Sequence, residues 1–143
     1  MSNVAFWDAS ALVPLCAGQV SSSRATKHYN NYPIVIWWGT PVEIAGALAR
    51  LVRMQQLTPG ELAKAHAMLL KLAVEWSVID PVEQVRRRAL DAIGQYSLRA
   101  ADALQLAAAL EWCQGRPQGK TFLTADHRLR QAANLAGFDA KTV

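Results

Sequence analysis

The sequence predicts an α/β domain with a central, mostly parallel, twisted sheet of about five short strands and helices on both faces. Three observations lead there. Short apolar runs rich in β-branched and aromatic residues recur along the 143 residues. Segments with helical apolar spacing lie between them. Turn-forming or polar residues break each run where a helix begins. No Gly/Ser/Pro-rich stretch and no long block of like charge divides the chain, so residues 1–143 read as one domain.

Taken in order, Val4 to Trp7 is an apolar run that stops at Asp8. Ala9 to Leu15 reads as the first turns of a helix that Pro14 shortens or bends. A polar helix from Ser21 to Asn31 follows, and Pro33 then opens a second extended run, Ile34 to Trp38, which Gly39 and Thr40 break. Ile44, Ala47, Leu48 and Leu51 define a helix from Pro41 to Gln55, and Leu62, Ala65, Leu69 and Leu72 define another from Thr58 to Val74. Both segments open with Thr-Pro-x-Glu. Trp76 to Ile79 is a third strand. Val82 to Ile93 is a helix with Val85, Ala89 and Ala92 inward and Arg86, Arg87 and Arg88 partly outward. The helix from Arg99 to Gln114 is apolar on nearly all sides as far as Leu110, the mark of an element buried in the middle of a fold. Arg99, Asp102 and Gln105, three residues apart, make its one polar stripe. Thr121 to Leu123 is a fourth strand, Ala125 to Ala136 a helix closed by Gly137, and Phe138 to Val143 the last strand.

In such sheets ligands bind outside the carboxyl ends of the strands, near a switch in strand order. Asp8, Glu43 and Asp126 all follow strands and therefore belong to that edge. Each also has a purely structural explanation. Asp8 and Asp126 suit helix starts, with Thr124 a cap for the second, and Thr40 to Glu43 reads as a capping box with Pro41 at the first helical position. Thr58 to Glu61 shows the same box with no strand before it. Asp102 is harder to explain, because aspartate is a poor helix former and the helix around it reads as buried. Its structural alternative is an ion pair with Arg99. Jointly the acids point to chemistry: convergent carboxylates repel one another unless a cation neutralises them, which predicts Mg²⁺ or Mn²⁺.

Composition agrees without deciding. Fifteen Lys and Arg against eleven Asp and Glu give a net charge of +4, compatible with a polyanionic partner. No run approaches the ~20 apolar residues that cross a bilayer. Met1 to Ala17 has no basic stretch ahead of its apolar part and carries Asp8 within it, so it does not read as an export signal. Cys16 and Cys113 have no ligand spacing and read as reduced, packed thiols; the expected location is the cytoplasm. Trp37 and Trp38 are placed on opposite faces by strand alternation, with packing favoured over base stacking for both. His28, His66 and His127 are scattered, which disfavours a metal-free acid–base mechanism built on a histidine pair.

Three segments carry a resemblance. Phe6-Trp7-Asp8-Ala9-Ser10-Ala11-Leu12-Val13-Pro14-Leu15, Leu98-Arg99-Ala100-Ala101-Asp102-Ala103-Leu104-Gln105-Leu106-Ala107 and Phe122-Leu123-Thr124-Ala125-Asp126-His127-Arg128-Leu129 resemble, in order, the sequence blocks of PIN-domain proteins. More narrowly they resemble the VapC toxins of toxin–antitoxin pairs. The resemblance implies an acidic pocket of Asp8, Glu43, Asp102 and Asp126, supported by Ser10 and Thr124, with Asp8, Glu43 and Asp102 as metal ligands directly or through water and Asp126 completing the site or binding a second ion. Arg99, beside Asp102, is linked to the same pocket. It further implies a magnesium-dependent endoribonuclease acting on RNA, restrained by a cognate antitoxin and often a homodimer. A non-catalytic PIN-like scaffold binding RNA or a protein is the alternative, against which no acidic position has been lost. A receiver domain also gathers acids at strand ends, but it needs paired acids after the first strand and a late lysine. Here Asp8 stands alone and the fourth strand leads to Thr124.

Overall fold

Strands β1 (Ala5–Trp7), β2 (Ile34–Trp37), β3 (Ser77–Ile79), β4 (Thr121–Thr124) and β5 (Asp139–Thr142) form one all-parallel sheet in the order β3-β2-β1-β4-β5. This is a computed structural model describing residues 3–18 and 22–143. Between the strands run helices α1 (Ala9–Ala17), α2 (Ser22–Asn31), α3 (Thr40–Arg53), α4 (Pro59–Glu75), α5 (Glu83–Tyr96), α6 (Ala100–Trp112) and α7 (His127–Ala136). The expected helix start at Ser21 lies outside the described residues, as do Met1 and Ser2.

The pleat sorts the strand side chains onto two cores. Phe6, Val35, Trp37 and Phe122 pack with residues of α5, α6 and α7, whereas Ala5, Trp7, Ile34, Ile36 and Leu123 pack with α1 to α4. Because both faces are covered, the inner strands must be apolar at every position, which is why they appear in the sequence as unbroken runs. Phe6 stacks on Phe122 across the β1–β4 pair at 5.4 Å and 22°, an arrangement that contributes roughly 0.5–1.5 kcal/mol beyond burial. The edge strand β5 carries Asp139 and Lys141, charges that discourage further strand addition.

The structure departs from the sequence reading at several places. α1 runs past Pro14 to Ala17 and ends on Gly18 in the left-handed region, so the proline neither stops nor shortens it. α6 begins at Ala100 with Arg99 as its extended N-cap, which places Asp102 in the first turn rather than mid-helix. An aspartate there favours the helix dipole, and its poor mid-helix propensity no longer needs explaining. Finally, Trp37 is buried at 7% exposure but Trp38 is 59% exposed, so packing holds for only one of the pair.

β1 takes neighbours from both directions of the chain, β2 on one side and β4 on the other. That is the switch point of the sheet, and the crevice beyond the ends of β1 and β4 is where such folds bind ligands. Pairing of Trp7 with Leu123 brings the next residues, Asp8 and Thr124, level with each other at its mouth. Among the described residues no helix is long and apolar enough to cross a membrane. Cys16 and Cys113 are buried free thiols in different cores, and burial pushes the Cys16 thiol up to about 11, as packing residues require.

Candidate active site

Asp8 leaves β1 as the N-cap of α1, yet its side chain makes no capping hydrogen bond. Instead Oδ2 accepts from Ser10 Oγ and, at 2.8 Å, from Thr124 Oγ1. Both hydroxyl oxygens also accept backbone N–H groups, Ser10 from Ala125 at 2.9 Å and Thr124 from Asp126 at 3.0 Å. A hydroxyl has one proton to give, so these two are spent on Asp8 although the oxygens lie 3.1 Å apart. Ser10 and Thr124 thus tie the ends of β1 and β4 around an acceptor that is only 3% exposed. Burial raises the Asp8 pKa, opposed by the Ser10 and Thr124 hydroxyls and then by the Ser10 and Ala9 amides.

Glu43 stands in the first turn of α3, but the expected capping box is absent. The N-cap is Gly39, whose carbonyl accepts from Val42 N at 3.1 Å and Glu43 N at 3.3 Å. Thr40 is the first helical residue, and its hydroxyl accepts from Gln105 Nε2 at 3.0 Å. The same nitrogen donates to Glu43 Oε2 at 2.8 Å. Thr58 to Glu61, with the same sequence pattern, does form the reciprocal box, Thr58 N to Glu61 Oε1 at 2.9 Å and Glu61 N to Thr58 Oγ1 at 3.1 Å. Glu43 is therefore an acid turned toward α6 and not a cap. Burial pushes its pKa up to about 7; Gln105 opposes this, and the charges of Asp8 and Asp102 add to it.

Asp102 is half-buried, and burial, then Asp126, then Asp8 push its pKa up to about 6, with Arg99 the smallest and only lowering influence. The alternative ion pair with Arg99 does not form. Asp126 is itself the N-cap of α7, which starts at His127 rather than Ala125, and its Oδ1 accepts from Leu129 N at 2.8 Å. Its other oxygen has no such commitment among the described residues. The charges of Asp8 and Asp102 thus act on Glu43, and those of Asp126 and Asp8 on Asp102.

A cavity of about 300 Å³ opens beside them, lined by Leu98, Arg99, Asp102, Asp126, His127 and Arg128. Asp8 and Glu43 lie outside this lining. Neither Arg99 nor Arg128 makes an ion pair among the described residues, so both guanidinium groups are open to an anion. His127 is exposed and its Nδ1 lies 3.1 Å from Arg130 Nη2. His28 contacts the Thr142 carbonyl at 3.2 Å and His66 lies on α4, so no second histidine joins His127 in the cavity lining.

The donor chemistry fits a hard divalent cation: carboxylates raised by burial and by one another, with hydroxyls and an amide behind them. Among the described residues, however, no three His, Cys, Asp or Glu side chains are gathered closely enough to hold an ion as they stand. Three participants were not singled out by the sequence reading as site residues: Gln105, Thr40 and Arg128. Gln105 had left a signal, a long polar amide on an otherwise apolar helix, since a buried amide must find partners.

No family model and no curated protein matches the sequence. Solved structures do match the fold. A toxin–antitoxin complex from Klebsiella pneumoniae superposes with a TM-score of 0.60 at 18% identity, over 85% of this chain and 86% of that one. PAE2754 from Pyrobaculum aerophilum gives 0.66 at 23% identity, over 100% and 92%. VapBC2 from Rickettsia felis, bound to a DNA fragment from their promoter, gives 0.61 at 12% identity, over 97% and 98%. At these identities the likeness is one of fold, and the fold of this chain is that of the PIN-like domain its three sequence blocks resemble.

Proposed function

We propose that this chain is a Mg²⁺-dependent endoribonuclease, with Mn²⁺ as a substitute ion, and the toxin of a type II toxin–antitoxin pair. The observation that carries the reading is the acidic edge itself. Asp8, Glu43 and Asp102 are each raised by burial, and for Glu43 and Asp102 the neighbouring acids add to it, while Arg99, the one cation acting on Asp102, has the smallest effect there. A fold keeps such an arrangement where a cation completes it. Bound there by Asp8, Glu43, Asp102 and Asp126, the ion would lower the pKa of a water and offset charge developing on a phosphodiester.

The chain's own residues supply the rest. Ser10 and Thr124 fix the Asp8 carboxylate, the Leu129 amide fixes Asp126, and Arg99 and Arg128 face an RNA phosphate across the cavity. Attack in line with the 3′ oxygen leaves a 5′-phosphate on the product. The cavity offers one histidine, so a histidine pair acting through the 2′-hydroxyl is not found in its lining. The cognate antitoxin, cytoplasmic action and homodimeric assembly belong to the same proposal; two of the fold neighbours are described as a toxin–antitoxin complex and as VapBC2.

One observation favours a second reading, a PIN-like scaffold that binds RNA or a protein without cutting: the acids are spread too widely to hold an ion as they stand. A single assay separates the two. Purified protein is incubated with structured RNA and Mg²⁺, with EDTA, and as Asp8→Ala. The nuclease reading predicts cleavage that EDTA abolishes and Asp8→Ala reduces at least a hundredfold. RNA binding with no cleavage under any condition selects the scaffold, and cleavage surviving both changes defeats the carboxylate mechanism.

A further inference from the structure

We propose that Gln105 is a positioning residue for the acidic edge: its side-chain amide, anchored on Thr40, fixes the direction in which Glu43 presents its carboxylate. The inference rests on the nuclease reading above.

Gln105 is completely buried in α6. Its Nε2 carries two protons, and the geometry spends both, one on Thr40 Oγ1 at 3.0 Å and one on Glu43 Oε2 at 2.8 Å. Its Oε1 is buried with no hydrogen-bond partner. Leaving a buried amide acceptor unpaired is unfavourable, so packing alone does not account for an amide at this position. The opposite orientation would set Oε1 against the Glu43 carboxylate, whereas the Thr40 hydroxyl could serve either way, so Glu43 decides which way the amide faces.

Glu43 needs such a hold because Asp8 and Asp102 both repel it. The anchor is well placed. Asp102 lies one turn before Gln105 on the same helix, so α6 carries one acid directly and grips a second through the amide. Thr40 and Glu43, both in the first turn of α3, are thereby tied to α6 across the end of β2. Groups that orient ligands in this way commonly change metal affinity or activity by about tenfold or more when removed.

The test uses the full chain and Gln105→Met, which removes both donors and the orphaned oxygen while keeping an unbranched side chain of similar volume. Mn²⁺ is titrated calorimetrically into RNA-free protein, RNA cleavage is resolved into kcat and KM, and Tm is recorded in EDTA. The expected result is about tenfold weaker Mn²⁺ binding, a kcat reduced at least as much, an unchanged KM and a Tm that does not fall. Thr40→Val is isosteric and frees the amide from its anchor; it shifts the same readouts in the same direction by a smaller factor, and it stands in if Gln105→Met does not fold. If the parent binds Mn²⁺ and cuts RNA while neither variant changes either quantity, this inference alone is overturned. A fall in Tm with Mn²⁺ affinity intact makes Gln105 a packing residue and also overturns it. A parent that neither binds Mn²⁺ nor cuts RNA overturns the nuclease reading and this inference together.

Discussion

At the scale of single residues, the acidic edge exchanges stability for a potential site, and Glu43 shows the exchange most clearly. Its pKa stands at about 7 in the folded chain against an ordinary value of 4.5. Between those values the native state holds a proton the unfolded chain has released, so stability falls as pH rises through that window. Asp102, raised from 3.8 to about 6, acts in the same direction over a lower range. Glu43→Gln removes the charge but keeps an oxygen for the Gln105 amide. In EDTA it is expected to raise Tm at pH 7.5 by about 2–6 °C and to change it little at pH 5, measured by calorimetric melting at both values. A variant no more stable than the parent at pH 7.5 would mean that Glu43 bears no strain. Asp8 was readable from sequence because it ends an apolar run, and Asp126 because it opens a helix. The roles of Gln105 and Thr40 were not, since their hydrogen bond joins positions 65 residues apart and exists only once α3 and α6 meet.

At the scale of elements, the same four-residue pattern behaves in two ways. Thr-Pro-x-Glu at 58–61 forms a reciprocal cap because Thr58 and Glu61 are exposed and have only each other. At 40–43 the threonine and glutamate are captured by Gln105, and the helix starts one residue earlier on Gly39. Local sequence cannot distinguish these outcomes, because the competitor lies on another helix. Gly39 is required for a different reason: its backbone, at φ −81°, suits any residue, but a Cβ there would lie 2.6 Å from Trp37 Nε1. The buried indole folds back over the turn that launches α3. Gly39→Ala should therefore cost about 1–3 kcal/mol, through overpacking. Denaturant unfolding measures it, and an unchanged midpoint would show that the indole moves aside freely.

At the scale of the whole molecule, the α/β class and the parallel sheet were legible because a sheet covered on both faces writes itself as apolar runs, Ala5 to Trp7 and Ile34 to Trp37 being the clearest. The strand order was not legible, because nothing in a run states which neighbour it will take. That order matters most for function: it sets β1 beside β4, makes their ends the switch point, and so brings Asp8 level with Thr124 from 116 residues away. The central claim is that the acids gathered at this edge form a cation site. Proton release tests it most directly, since carboxylates that hold protons near neutrality must give them up to bind an ion. When Mn²⁺ is added to weakly buffered protein, roughly one proton should leave per ion bound at pH 6.5 and almost none at pH 8.5, with the pH 6.5 release largely lost in Glu43→Gln. Mn²⁺ binding without proton release at pH 6.5, or no binding at either pH, would contradict the account.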